Sequence, residues 1–182
     1  MRPLPRPLRS ITPILFCLFL PCQVLAQKDK PEPLTETQIE LIREAGIDPN
    51  ERVKLYTKFV SEHADTIKSL TNRSKSLTRS KRIDEELQDL TALMDEFGSN
   101  LDVFSERHAD IRKSLKPLTE STDHWLGIVR ALPGEPAFDL ARKEAIESGQ
   151  DLADEAKRLL TEQTEYFNLH KDEQNQDRAE PK

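Results

Sequence analysis

The most regular pattern in the chain is a line of apolar or core-compatible positions from Ile83 to Leu132, recurring at alternating steps of four and three. This heptad spacing is typical of a helix that buries one seam against partner helices. It predicts a long central helix over about residues 80–132. Pro117 removes one backbone hydrogen bond inside this helix, which then either kinks near Ser114 or breaks. Because the seam keeps its register past Pro117, we expect the kink.

Two flanking segments carry seams of the same kind. Apolar residues recur between Val53 and Leu70, and their register does not continue into the central seam, which predicts a turn between about residues 71 and 82. The turn-forming residues 133–136 end the central helix, and a last seam runs from Phe138 to His170. Short turns make neighbouring helices antiparallel. The predicted fold is therefore all-α, an elongated three-helix bundle with coiled-coil character.

The remaining parts of the chain complete this domain plan. Thr35 and Gln38 have the spacing of a capping box and predict a short N-terminal helix that ends near Gly46. We therefore assign residues 27–34 to a linker and residues 35–170 to the helical bundle domain. Residues 171–182 are charged and almost free of apolar side chains, so we expect a disordered tail.

Residues 1–26 have the pattern of a secretory signal peptide. Three arginines precede the apolar stretch from Ile11 to Leu20, and the small residue Ala26 offers a cleavage position. The alternative is an uncleaved membrane anchor, although the stretch is shorter than the roughly 20 residues that a spanning helix needs. We expect cleavage near Ala26 and an exported protein, periplasmic or extracellular.

Composition after cleavage narrows the classes of function. Both cysteines, Cys17 and Cys22, lie in the signal, so the mature chain would have no disulfide, thiolate metal site or cysteine nucleophile. Removing the signal's three arginines from 27 basic residues leaves 24 against 33 acidic ones. This acidic balance argues against nucleic acid as the main partner.

A basic stretch without acidic residues runs from Thr66 to Ile83, around the first predicted turn. Its basic residues are Lys68, Arg73, Lys75, Arg79, Lys81 and Arg82. They are candidates for contact with an anionic surface, either membrane headgroups or an acidic partner. The alternative is a solvated loop that keeps the end of the helices soluble.

Three seam residues form the one candidate ligand set. Folding about the predicted turns brings His63, Met94 and His170 to similar levels, and imidazole and thioether groups bind haem or soft metals. The favoured alternative is that each histidine lies at a bundle edge and bonds water or a carboxylate. The sequence has no CxxCH, HExxH or GxSxG motif. We therefore predict no catalytic residue, no cofactor and no enzymatic activity.

Two resemblances bear on function. The run Leu34-Thr35-Glu36-Thr37-Gln38 matches the LTxxQ motif and resembles the Spy-type periplasmic chaperones and stress sensors, which carry the motif twice. A capping box explains the same five residues.

Residues 48–65 and 125–160 resemble uncharacterised exported helical proteins of soil bacteria of the Acidobacteria type, and this similarity implies export but no activity.

The leading functional prediction is an exported, non-enzymatic helical scaffold or partner-binding protein. A protein partner or self-association is expected. Where an apolar seam is longer than the helices that pack on it, apolar stripes would be exposed near the ends of the central helix. The first alternative is a periplasmic chaperone or stress-binding protein. The second is a haem- or metal-binding bundle built on His63, Met94 and His170.

Overall fold

The computed structural model describes residues 33–46 and 48–174. The predicted signal at 1–26, most of the predicted linker at 27–34 and the last eight residues of the predicted tail lie outside the described residues. Within the described part, every regular element is helical and no strand occurs, so the all-α prediction is confirmed.

Five α-helices and one short 3-10 helix make up the described chain. They are α1 (Glu36–Glu44), α2 (Pro49–Thr71), α3 (Leu77–Glu106), α4 (Arg112–Arg130), α5 (Asp139–Leu169) and the 3-10 turn at Lys171–Glu173. The 3-10 turn occupies the first residues of the segment predicted to be a disordered tail.

The predicted start of α1 is confirmed by its hydrogen bonds, and α2 also begins at a side-chain cap. The Thr35 hydroxyl accepts the Gln38 backbone N–H, and the Gln38 side chain accepts the Thr35 backbone N–H at 2.8 Å, which completes the capping box. The Asp48 carboxylate accepts the backbone N–H groups of Asn50 and Glu51 at 2.9 and 3.2 Å. Gly46, with a φ of 56°, follows the end of α1 in the left-handed region that favours glycine.

The prediction of one long central helix is wrong. Helix α3 ends at Glu106, the chain reverses over residues 107–111, and α4 begins at Arg112. Pro117 lies inside α4, five residues beyond its first residue, and does not end the helix. The expected three-helix bundle therefore becomes a bundle of four principal helices, α2 to α5, with α1 packed on α2.

The end of α3 has the hydrogen bonds of a Schellman motif. His108 adopts a φ of 52°, and its N–H donates to the Ser105 carbonyl at 3.0 Å. The Ala109 N–H donates to the Phe104 carbonyl at 3.0 Å, and both of these side chains are buried. Histidine is one of the residues that enter the left-handed region more readily than most. Local hydrogen bonding thus ends α3 although the apolar seam continues.

The buried side chain of Gln163, on α5, holds the reversed segment in place. Its Oε1 accepts the Ile111 backbone N–H at 3.1 Å, and its Nε2 donates to the Ala109 carbonyl at 2.9 Å. Residues 109 to 111 are buried outside a helix, where unpaired backbone groups would be unfavourable. The Gln163 amide therefore replaces the hydrogen bonds that a continuous helix would have supplied.

The reversal determines how the four helices are arranged. Helix α2 packs against α3 and α4, and α5 packs against the same two helices, whereas the Cα atoms of α2 and α5 stay more than 8 Å apart, as do those of α3 and α4. Trp125 of α4 donates to Ser61 of α2, and Ser114 donates to Asn50, so these two helices run parallel. The α3–α4 connection consequently crosses the end of the bundle along its diagonal.

The core lies between these four helices and includes large side chains from each of them. Those that are almost completely buried include Tyr56, Phe59, Phe97, Trp125 and Phe167. Ile83 and Leu132, at the two ends of the predicted seam, are also buried, so the apolar stripes expected near these ends are not exposed. Gly149 marks a close approach, because a Cβ there would lie 2.9 Å from Leu126 Cδ2.

Replacing Gln163 by Leu should lower the free energy of unfolding by about 2–4 kcal/mol, because it leaves one buried N–H and one buried C=O without partners. Urea unfolding followed by far-UV circular dichroism measures the change. Gln150→Leu, at an exposed position of the same helix, is the matched control and should change stability by less than about 0.5 kcal/mol. Equal effects of the two substitutions would show that the Gln163 amide does not hold the reversal.

Replacing Gly149 by Ala should lower the free energy of unfolding by about 1 kcal/mol. Overpacking against Leu126 costs roughly 1–3 kcal/mol, and the better helix propensity of alanine offsets up to about 1 kcal/mol of it. Gly98→Ala is the control, since no atom lies within 4 Å of its Cβ position, and it should raise stability by about 0.5–1 kcal/mol. A gain at both positions would contradict the close packing of α5 on α4.

Candidate functional site

The three candidate ligands, His63, Met94 and His170, each lie against a different neighbour. His63 Nδ1 is 3.0 Å from an oxygen of Glu86. The buried Met94 lies eight residues further along α3, or about 12 Å at 1.5 Å per residue, and its sulfur faces Gly149. His170 stacks on Tyr166, beyond the end of α5. The structure therefore does not bring the set together.

The rest of the described chain also lacks a cluster of side chains suited to a metal ion. Residues 33–46 and 48–174 contain no group of three or more His, Cys, Asp or Glu side chains placed to hold a metal ion. His63 instead borders an open cleft of about 560 Å³ between α1, α2 and α3, which also contains Glu86 and Asp89. Burial raises the pKa of Asp89 above its ordinary value.

The six basic candidates are divided between two roles. Five of them are exposed, namely Lys68, Arg73, Lys75, Lys81 and Arg82. Arg79 is buried, with only 5% of its side chain accessible, and therefore cannot serve as the surface contact that the sequence suggested. We call residues 72–82, which comprise the α2–α3 turn and the first residues of α3, the basic tip.

Buried Arg79 joins the basic tip to the α4–α5 turn. Its guanidinium donates to Glu135 Oε1 at 2.6 Å and to the Arg73 carbonyl at 3.4 Å. Glu135 also accepts the Ser80 hydroxyl at 2.9 Å, and Lys75 Nζ lies 3.4 Å away. These donors, Ser80 first and then Arg79, lower the pKa of Glu135 and keep it ionised.

Sequence reasoning missed Glu135, which holds the two turns together. The sequence carries a single acidic residue within the Pro-Gly-Glu-Pro turn and an acid-free basic stretch around the first turn. The predicted three-helix fold placed these two turns at opposite ends of one continuous central helix, so only the reversal at residues 107–111 brings them together.

An apolar side chain stands among the exposed charges of the basic tip. Leu77 is the first residue of α3, and 90% of its surface is accessible. Ser76 caps the helix through a hydrogen bond from the Arg79 N–H at 3.1 Å, which fixes the backbone on either side of Leu77. The tip thus presents one large aliphatic side chain beside several cationic ones.

A second open surface lies between the parallel helices α2 and α4. This groove has a volume of about 400 Å³, with Lys68 and Thr71 on the α2 side and Gly127, Ile128 and Ala131 on the α4 side. No atom lies within 4 Å of the position that a Cβ on Gly127 would take. The groove therefore has room for side chains from another molecule.

Comparisons with known proteins add no assignment: the sequence matches no family model, and no curated protein or solved structure matches it. The likeness to Spy-type chaperones and to exported soil-bacterial proteins stays a prediction. The LTxxQ residues do form the capping box that the sequence suggested as their explanation. No helix among the described residues is both long and apolar enough to span a membrane.

Replacing Glu135 by Gln should lower the melting temperature at neutral pH, and the difference from wild type should shrink as the pH falls. The folded-state pKa of Glu135 is lowered, so its stabilising contribution is full above the unfolded pKa and is lost as the pH falls through the folded one. Thermal unfolding between pH 3 and 7 measures this dependence. Glu147→Gln, at an exposed position of α5, is the control and should leave the profile unchanged. A pH-independent loss at Glu135 would contradict an ionic role.

Proposed function

We propose that this chain is an exported, non-enzymatic helical protein that binds a protein partner through the groove between α2 and α4. The support for a binding role is how the apolar residues are distributed. The long seams are buried within one chain, so assembly of the bundle does not require a second copy. We therefore assign the binding role to a groove on the surface of the folded bundle and not to apolar seams left exposed for a second copy.

The open groove is the observation on which the proposal depends. Glycine and alanine on α4 leave its floor low, and Ile128 and Leu132 give it an apolar lining. Amphipathic helices bind in such grooves by inserting aliphatic side chains spaced by three or four residues. An aliphatic side chain from a partner helix would cover Gly127, the position with open space above it.

Charge at the rim restricts the kind of partner. Lys68, on the α2 side, is exposed and has no ion pair within the described residues. Asp123, on the α4 side, already faces Lys157 at 4.0 Å. A partner helix with an acidic residue beside its aliphatic anchor would match Lys68 without opposing Asp123.

The non-enzymatic part of the proposal rests on how the titratable side chains are used. His63 is paired with Glu86, while His170 stacks on Tyr166 and its Nδ1 lies 2.9 Å from that residue's carbonyl oxygen. The groove itself contains one histidine, His124, beside Asp123, and neither has a nucleophilic side chain as a hydrogen-bond partner among the described contacts. Recognition is the activity that this arrangement best supports.

Photo-crosslinking from the groove should capture the partner. The photoreactive amino acid p-benzoylphenylalanine is placed at Gly127 in the full chain and, as a matched control, at Gly98, a second helical glycine with open space above it. Irradiation in cells that naturally express the chain should give a discrete crosslinked product from position 127 and none from position 98.

Competition decides whether that product reflects groove binding. Unlabelled wild-type chain should reduce the crosslink, whereas the Ala131→Trp variant, which fills the groove from its rim, should not. Equal crosslinking from both glycines, or equal competition by both chains, would reject the groove as the binding site.

A further inference from the structure

We propose that the basic tip docks on an anionic phospholipid surface, with Leu77 inserted at the boundary between headgroups and acyl chains. This inference concerns a surface that adjoins the α2–α4 groove at Asn72, and it does not depend on the partner proposed above. The first observation is that the whole chain is acidic, with a formal net charge of −6. Attraction to an anionic surface therefore requires a local cationic patch.

The basic tip is such a patch because residues 72–82 contain five basic and no acidic residues, and two of the carboxylates near it are already paired. Glu135 is bound by Arg79 and Lys75, and Glu85 faces Lys81 at 3.4 Å. Arg73 and Arg82 are exposed and have no carboxylate partner within the described residues. Screening limits the influence of distant acidic residues to about 10 Å at 0.1 M salt, so the local excess of positive charge dominates at the tip.

Leu77 distinguishes a lipid surface from an acidic protein. An isolated leucine that is 90% accessible gains nothing from a purely ionic contact, but it can bury its aliphatic surface among lipid chains. Basic side chains then lie at the level of the phosphates, where each contributes about 1 kcal/mol of binding. The exposed leucine and the surrounding cations together match an anionic bilayer.

The tip is also rigid enough to present these groups together. Arg79 ties the Arg73 carbonyl to Glu135, and Ser76 caps α3 directly before Leu77. The turn therefore does not have to be ordered when it meets the membrane, which lowers the entropic cost of binding. The same anchoring keeps Arg73, Leu77 and Arg82 at one end of the bundle.

Vesicle flotation with the full chain tests the proposal. One set of vesicles contains phosphatidylcholine alone, and the other contains equimolar phosphatidylcholine and phosphatidylglycerol. The wild-type chain should float with the anionic vesicles in preference to the neutral ones, and added sodium chloride should weaken the binding. Lack of preference for the anionic vesicles would overturn the proposal.

Paired variants locate the contact. Arg73→Gln with Arg82→Gln should weaken binding to anionic vesicles roughly 30-fold, since each charge contributes about fivefold. Lys113→Gln with Lys116→Gln removes two exposed charges at the opposite end of the bundle and should leave binding unchanged. Equal losses in the two double variants would show that total charge, not the basic tip, drives the association.

The leucine variants separate lipid from other anionic partners. Leu77→Gln removes the aliphatic surface without adding charge and should weaken binding about tenfold or more, whereas Leu169→Gln, at a leucine that is 83% exposed beyond the other end of the core, should not. Because both leucines are exposed, both variants should unfold at the wild-type urea concentration. If the arginine variants lose binding while Leu77→Gln keeps it, Leu77 does not insert, and the tip recognises anionic charge alone.

Discussion

The architecture depends on how the buried backbone is satisfied where the chain reverses between α3 and α4. A helix that stops inside a core leaves N–H and C=O groups without partners, and three residues here are buried in irregular conformation. One amide side chain, from a helix more than fifty positions further along the chain, supplies both a donor and an acceptor to them. The reversal is thus stable only when α5 lies in place, and the packing of α3 and α4 on α5 follows from it.

The same reversal explains which parts of the fold could be predicted. The cap at Thr35 and the stop at Gly46 are local signals, and the structure agrees with both of them. The heptad pattern does not indicate that the helix ends before residues 107–111, because Ile111 and Leu115 are core positions whether the helix continues or the chain turns back. Pro117 was expected to cause the irregularity instead, but it lies inside α4, which continues past it to Arg130. The polar seam residues His108 and Gln163 were the informative ones.

The candidate surfaces were only partly accessible to sequence reasoning. A run of basic residues without acidic ones is visible in the sequence itself, but which of these residues face solvent depends on the turn that packs against them. Arg79 and Glu135 are 56 positions apart, and only the bundle topology brings them into contact. The groove between α2 and α4 could not be foreseen at all, since a continuous central helix would have placed those two segments at opposite ends of the molecule.

The diagonal connection has a consequence for how the chain reaches this structure. Helices α2 and α3 form a hairpin through contacts that are close in sequence, whereas α4 packs its backbone against α2 and α5 and not against α3. The hairpin can therefore form early, while α4 stays unanchored on one side until the C-terminal helix is available. During synthesis, the apolar face of α4 is then the last part of the core to be covered, and this interval is when the chain is most exposed to aggregation or to capture by a folding factor.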